Sequence, residues 1–558
     1  MSTVTDRPRL SIPATAHSTT RRFDNRLVAI LTVALVGLVA LAAGIATSLR
    51  TEVRPPATGA AALVPSDALA YVHLSTDSTR PAVKQATRLA ARLPGFPGLS
   101  AGLTARLGAI LSGPGAAPAT FDFARDVRPW LGDEAAFALL NTDSTSAGSL
   151  IVLAVRERRR AQAYLHRSGA TSVRVYRGVT ELRYRRGTVL AFVRHYLAIG
   201  QPASVQSAID ASDSGSTSLQ DNPVYRSAAA GEPADRVLDA YVSASGAQRV
   251  LAPRGGPLGA LGALLLGPAF SGASVSVSAE AGGARMTVHR ALDPALAKAG
   301  RSASRPFAPT LAGTLPRGSS LLLDVNGLVH AAPALLSSAA ALGIAPRVGP
   351  LLARLGSALS SEGAGVQQAL SLFSGETAVA VTPGDGTGDA PALAIITRTD
   401  RQDRARGLLA SLEGPLAQLF PPPGDGPGQA AVWNDVQVAG VTAHELSLAP
   451  GLEVDYAVFK GLVVVSTSRH AIAAIVRHRG SLADEARYRA TVGASPQRVT
   501  SLLFADFSQL LNLGERMGLI SSARFTALRP DLDKVRAVGL TTARGEADTT
   551  AELFLQIP

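Results

Sequence analysis

The stretch Leu63-Val64-Pro65-Ser66-Asp67-Ala68-Leu69-Ala70-Tyr71-Val72-His73-Leu74 reads as a proline turn leading into an apolar strand. The chain writes the same pattern again at Leu315-Pro316-Arg317-Gly318-Ser319-Ser320-Leu321-Leu322-Leu323-Asp324-Val325. Outward from these two stretches the features keep one order. An Ala/Leu-rich helical stretch follows each. Then Trp130-Leu131-Gly132-Asp133-Glu134-Ala135-Ala136 is matched by Leu372-Phe373-Ser374-Gly375-Glu376-Thr377-Ala378. A strand and a helix come next, at 150–155 with 156–166 and at 393–397 with 400–412. Residues 221–237 match 484–499, setting Tyr225-Arg226 against Tyr488-Arg489. Strands at 238–243 and 502–507 follow, and both halves close on alternating segments, 273–289 and 535–555. Five correspondences in one order predict an internal duplication.

Neighbouring strands joined by short turns pair antiparallel. The expected fold class is therefore α+β: two related lobes of mixed, mostly antiparallel sheet with helices, preceded by one transmembrane helix. The expected lobes are 62–300 and 314–558, joined by a Pro- and Ser-containing linker at 301–313.

The transmembrane helix is read from Leu27 to Leu49, LVAILTVALVGLVALAAGIATSL, 23 residues without a charge. At about 1.5 Å per residue this run spans a hydrocarbon core of about 30 Å. Arg21, Arg22 and Arg26 precede it, and Arg50 and Arg54 follow it, a bias that favours a cytoplasmic N-terminus. A cleaved signal peptide is the competing reading, but its apolar core is normally about 7–15 residues. The tail 1–26 is rich in Ser, Thr and Arg and reads as a cytoplasmic disordered segment. Residues 50–61, with Pro55-Pro56, read as a short stiff tether. The apolar stretch 257–270 is broken by Gly and Pro and is too short to span. The expected location is the plasma membrane, single-pass, with the C-terminal domain outside.

The opening Pro65-x-Asp67-x-x-x-Tyr71-Val72 and the segment Trp130-Leu131-Gly132-Asp133-Glu134 resemble the domain of unknown function 3352 family, bacterial proteins that often carry an N-terminal membrane anchor. The resemblance covers most of 63–558. The second copy departs from the pattern, with Arg317-Gly318 in place of Ser66-Asp67 and Phe373-Ser374 in place of Leu131-Gly132. The resemblance implies an envelope location and supplies no activity or catalytic residues.

The chain has 558 residues, 46% hydrophobic and 17% charged, a globular composition. The absence of cysteine excludes disulfides, thiol nucleophiles and Cys-ligated zinc. The formal net charge is +12, and lysine occurs only at Lys84, Lys298, Lys460 and Lys534. Much of the arginine therefore reflects composition, and nucleic acid is not an expected partner. The excess concentrates between 151 and 194, whereas 301–558 carries equal numbers of acidic and basic residues. Alternation in Val173-Arg174-Val175 and Leu182-Arg183-Tyr184-Arg185 places guanidinium groups on one sheet face. Arg174, Arg177, Arg183, Arg185 and Arg186 form the candidate anion-binding site, for anionic lipid or an acidic envelope polymer. The matching strands of the second half, 436–459, contain no arginine. A solvated face of an Arg-rich protein is the plain alternative.

Catalytic and metal signatures are weak. Gly98-Leu99-Ser100-Ala101-Gly102 matches G-x-S-x-G, but no strand leads into it. None of the nine histidines forms a tight metal pair, and His444-Glu445 lacks a second His four residues on. The Gly/Asp loops at 384–389 and 424–428 lack calcium-loop spacing. Tyr71, Tyr225, Tyr488, Trp130 and Trp433 read as core or boundary aromatics. No cofactor, catalytic residue or metal ligand is expected. The function expected is a non-enzymatic binding or scaffold protein of the cell envelope. The alternative is an extracytoplasmic hydrolase whose site is assembled from distant residues.

Overall fold

The computed structural model describes residues 55–111, 121–141, 147–184, 187–213, 217–251, 270–292, 305–328, 371–384, 391–418, 432–449, 452–493, 497–516 and 523–558. The tail 1–26, the run 27–49 and the stretch 257–269 lie outside them. Among the described residues, no helix is long and apolar enough to cross a membrane.

The fold is α+β, built on one 20-stranded sheet. Its first ten strands are β1 (Ala70–Ser75), β2 (Leu131–Asn141), β3 (Ala147–Val155), β4 (Thr171–Tyr176), β5 (Val179–Arg183), β6 (Val189–Val193), β7 (Tyr196–Gly200), β8 (Leu238–Ser243), β9 (Phe270–Glu280) and β10 (Gly283–Leu292). The next ten are β11 (Leu321–Asn326), β12 (Glu376–Thr382), β13 (Ala392–Arg398), β14 (Trp433–Val438), β15 (Val441–Ala449), β16 (Leu452–Phe459), β17 (Leu462–Ser466), β18 (Ser501–Ala505), β19 (Ala537–Arg544) and β20 (Asp548–Gln556).

The first ten strands pair in the order β4-β5-β6-β7-β3-β2-β1-β8-β9-β10. The second ten pair as β14-β15-β16-β17-β13-β12-β11-β18-β19-β20. The two orders correspond strand for strand. They meet where β10 pairs β20, from Gly283 opposite Gln556 to Ala291 opposite Asp548. Every described pairing is antiparallel, a simpler sheet than the mixed one expected from sequence.

Local chemistry explains these elements. Two-residue hairpins of type I′ place both turn residues at positive φ, which matches strand twist. Arg177-Gly178 (φ 46° and 79°), Ala439-Gly440 (50° and 88°) and Lys460-Gly461 (45° and 75°) supply them. The turns preceding β1 and β11 are pinned alike, since Pro65 bridges Ser218 and Pro316 bridges Ser481. Ser218 with Asp221, and Ser481 with Asp484, each close a reciprocal cap on the following helical turn. Tyr225 and Tyr488 sit on the short helices after those caps.

Burial follows the pattern. In the first half, one core lies between the sheet, the turn Gly59–Leu63 and the helices Pro202–Ala211 and Pro223–Ala229. A second core on the other face gathers Trp130, Leu165 and Leu190. A sheet covered on both faces explains strands such as β6, buried at every position. Tyr71 and Trp130 are 0% and 1% exposed, and Tyr71 and Tyr241 each meet Tyr225 edge-on.

Candidate functional site

The segment Trp130 to Glu134 acquires a physical reason. Trp130 fills the second core and donates its indole N–H to the Asp126 carbonyl at 2.6 Å. Gly132 lies where β2 is out of step with β3, and a Cβ there would meet the Ala154 Cβ at 2.8 Å. Glu134 turns inward. It accepts the Ala60 backbone N–H at 3.2 Å, tying the turn Gly59–Leu63 to the sheet, and it accepts the Tyr196 hydroxyl.

Glu134 belongs to a buried ionic cluster. His73 on β1 lies opposite Asp239 on β8, with Nδ1 2.9 Å from Oδ1, and its Nε2 faces Glu134 Oε2 at 3.4 Å. Arg236 Nε lies 3.0 Å from both Asp239 Oδ1 and Glu232 Oε2. Burial alone would lower the His73 pKa, but the Asp239 carboxylate, aided by Glu134, outweighs it and raises the imidazole to about 9. Burial likewise opposes ionisation of Glu134 and Asp239, and their bonds to His73, Tyr196 and Arg236 still hold both below the usual carboxylate range. Glu232 goes the other way: burial, then the Asp239 charge, pushes it up to about 8. Two cations, His73 and Arg236, thus face the carboxylates of Glu134 and Asp239, while Glu232 beside Arg236 is pushed toward its protonated form. His73 has no exposed surface. This Asp–His pair is closed off from solvent and, with Glu134, links β1, β2 and β8 through their side chains.

The corresponding place in the second half is chemically different. Asp324 of β11 faces Leu502 of β18 where His73 faces Asp239. Its carboxyl is fully buried and accepts no hydrogen bond. Burial first, then Glu376, raises it to about 8. Glu376 itself repeats the role of Glu134, accepting the backbone N–H groups of Thr310 (2.5 Å) and Leu311 (3.0 Å).

The basic stretch is placed as follows. Arg174 lies opposite Glu181 across the β4–β5 hairpin, and Arg183 shares that face. Glu181 is 1% exposed, 2.9 Å from Arg174 Nε, and accepts Gln206 Nε2 at 3.0 Å. Arg177, at the hairpin turn, reaches Asp210 and Asp213, both at 2.9 Å. The Arg183 Nε is buried without a hydrogen-bond partner. Arg185 and Arg186 lie outside the described residues. The hairpin brings Arg174 and Arg183 to one face, with a buried carboxylate between them, and turns Arg177 toward two more.

The other motifs are placed as follows. Gly98 to Gly102 lies within the helix Phe96–Leu111. His444 lies 2.8 Å from Asp435 and stacks on Tyr456. Sequence reading missed His73, Glu134, Glu232, Arg236 and Asp239 as one system, and the separate buried carboxyl of Asp324. The available signal was a single charge inside an apolar strand, as in Ala-Tyr-Val-His-Leu.

The family model described as protein of unknown function (DUF3352) matches residues 27–557. The curated proteins contain no match. Among solved structures, crystal form I of TP0453 aligns with 46% of this chain and 89% of its own, at 9% identity and a TM-score of 0.25. Crystal form III of TP0453 aligns with 45% and 88%, at 10% identity and a TM-score of 0.24.

Proposed function

The chain belongs to the DUF3352 family of proteins of unknown function, and on that premise we propose that it is a membrane-anchored, non-enzymatic binding or scaffold protein of the cell envelope. The carrying observation is the uncharged run Leu27 to Leu49 and its nearness to the sheet. Gly59–Leu63 is already packed into the first core, with Ala60 held by Glu134. The nine residues between run and turn extend about 30 Å at most. The sheet therefore stands close to the outer membrane face, with the N-terminus in the cytoplasm.

The sheet is two copies of one unit, 62–300 and 314–558. The matching strand orders and the matching Ser218/Asp221 and Ser481/Asp484 caps support this reading. Twenty strands at about 4.8 Å spacing give a hydrogen-bonded width of roughly 90 Å, a broad platform for other envelope components. The arginines of 151–194 supply its basic region, for anionic lipid headgroups or acidic polymers.

Membrane fractionation tests the anchor. The full chain stays in the pellet after alkaline carbonate extraction, and a chain lacking 27–49 moves to the supernatant. A full chain released by carbonate contradicts the proposal.

A further inference from the structure

Antiparallel register sets Glu445 on β15 directly opposite Asp455 on β16, and Glu453 lies two residues before Asp455, on the same face. One carboxylate oxygen from each of the three lies within 4.8 Å of the others. Asp455 is 0% exposed, and neither of its oxygens receives a hydrogen bond. A buried polar group without a partner is costly unless a ligand or proton satisfies it.

One cation already stands at the edge of this group. Arg469 donates its backbone N–H to Glu453 Oε1 at 3.1 Å, and its Nη1 lies 3.4 Å from Glu445 Oε2. One guanidinium faces three carboxylates, so the cluster remains anionic. The register also sets Ser447 opposite Glu453 and Ser466 opposite Asp455, although the Ser466 hydroxyl is donated to the Leu393 carbonyl, so the three carboxylates are the donor set. At the corresponding place in the first half, Arg183 faces Val189. The acidic set is thus a property of the second half alone.

We propose that Glu445, Glu453 and Asp455 form a binding site for one hard divalent cation of the calcium, magnesium or manganese class. All three donors are anionic oxygens, the set these ions prefer. Calcium–oxygen bonds of about 2.3–2.6 Å hold opposing ligands about 5 Å apart or less, which the cluster already satisfies. A divalent charge would answer the remaining negative charge and give Asp455 its missing partner. With no cation, burial and then Glu453 and Glu445 raise Asp455 to about 8, so a shared proton is the competing occupant.

The test is calorimetric titration of the full chain in mild detergent with calcium, magnesium and manganese chlorides. Asp455→Asn and Glu445→Gln are run beside the unmodified chain. One saturable site is expected for at least one cation, with Kd on the order of 10⁻⁴–10⁻³ M as in extracellular modules. Both variants should weaken it at least tenfold, and the cation should raise the melting temperature of the unmodified chain alone. Glu445 is partly exposed, so its variant keeps the test alive should Asp455→Asn not fold. Absence of saturable heat with all three cations overturns the site in favour of the proton. Equal affinity in the variants places any binding elsewhere and overturns it too.

Discussion

His73 on β1 and Asp239 on β8 face each other across the sheet, 2.9 Å apart and both out of solvent. The pair stands where the first half's strands β2, β1 and β8 lie side by side, with Glu134 and Arg236 completing it. Removing one member of such a set strands the others in a low-dielectric interior. Asp239→Ala is therefore expected to cost about 3–5 kcal/mol, because His73 and Arg236 lose their shared anion. Chemical denaturation of the two chains measures it.

The same pair sets a pH response. The His73 pKa rises from 6.5 to about 9 on folding. A raised pKa contributes stability that is full below 6.5 and is lost as pH rises through 9. Asp324, raised from 3.8 to about 8, acts in the same direction, its contribution being lost as pH climbs to 8. Melting temperature should fall between pH 7 and pH 9.5. Asp324→Asn, which cannot ionise, should be tolerated at pH 7 and more stable than the unmodified chain at pH 9. A melting curve that stays flat above pH 7 counts against both assignments.

The seam between the two halves has its own sensitive position. A Cβ at Gly283 would lie 1.9 Å from the Leu555 carbonyl oxygen of the facing strand. Gly283→Ala must shift backbone at the β10–β20 pairing, at a cost of about 1–3 kcal/mol. Hydrogen exchange should quicken in β10 and β20 and stay unchanged in β5 and β15.

Surface binding has a separate prediction. Residues 52–558 should float with anionic liposomes at low salt and lose binding at high salt. Changing Arg183, Arg185 and Arg186 to Ser should abolish it. Flotation that persists in the variant would move the basic surface elsewhere. Arg177→Ser should matter less, since Asp210 and Asp213 already neutralise that side chain.

The order of strands and helices was legible because each is a local signal. Apolar alternation marked the strands, and Pro65 and Pro316 marked the turns before β1 and β11; the positive-φ pairs Arg177-Gly178 and Lys460-Gly461 and the two Ser-x-x-Asp caps are signals of the same local kind that the sequence reading did not use. The pairing of β10 with β20 joins residues more than 250 positions apart, and no local period encodes it. The buried charges were visible but ambiguous. His73, Asp324 and Asp455 each interrupt an apolar strand, and a lone charge in a strand reads first as its solvent face. Only the registers set His73 against Asp239 and Glu445 against Asp455. The partners of the basic stretch were not legible in a count of its charges. Its arginines are close in sequence, while Asp210 and Asp213, which answer Arg177, come from beyond it.

Topology is decided most directly by protease added to intact spheroplasts that express the full chain with an epitope tag at each end. An anchor at 27–49 with its sheet outside predicts loss of the C-terminal tag and survival of a short, membrane-bound N-terminal fragment until detergent is added. Protection of the C-terminal tag, with digestion only after lysis, would place the sheet inside the cell and contradict the envelope function.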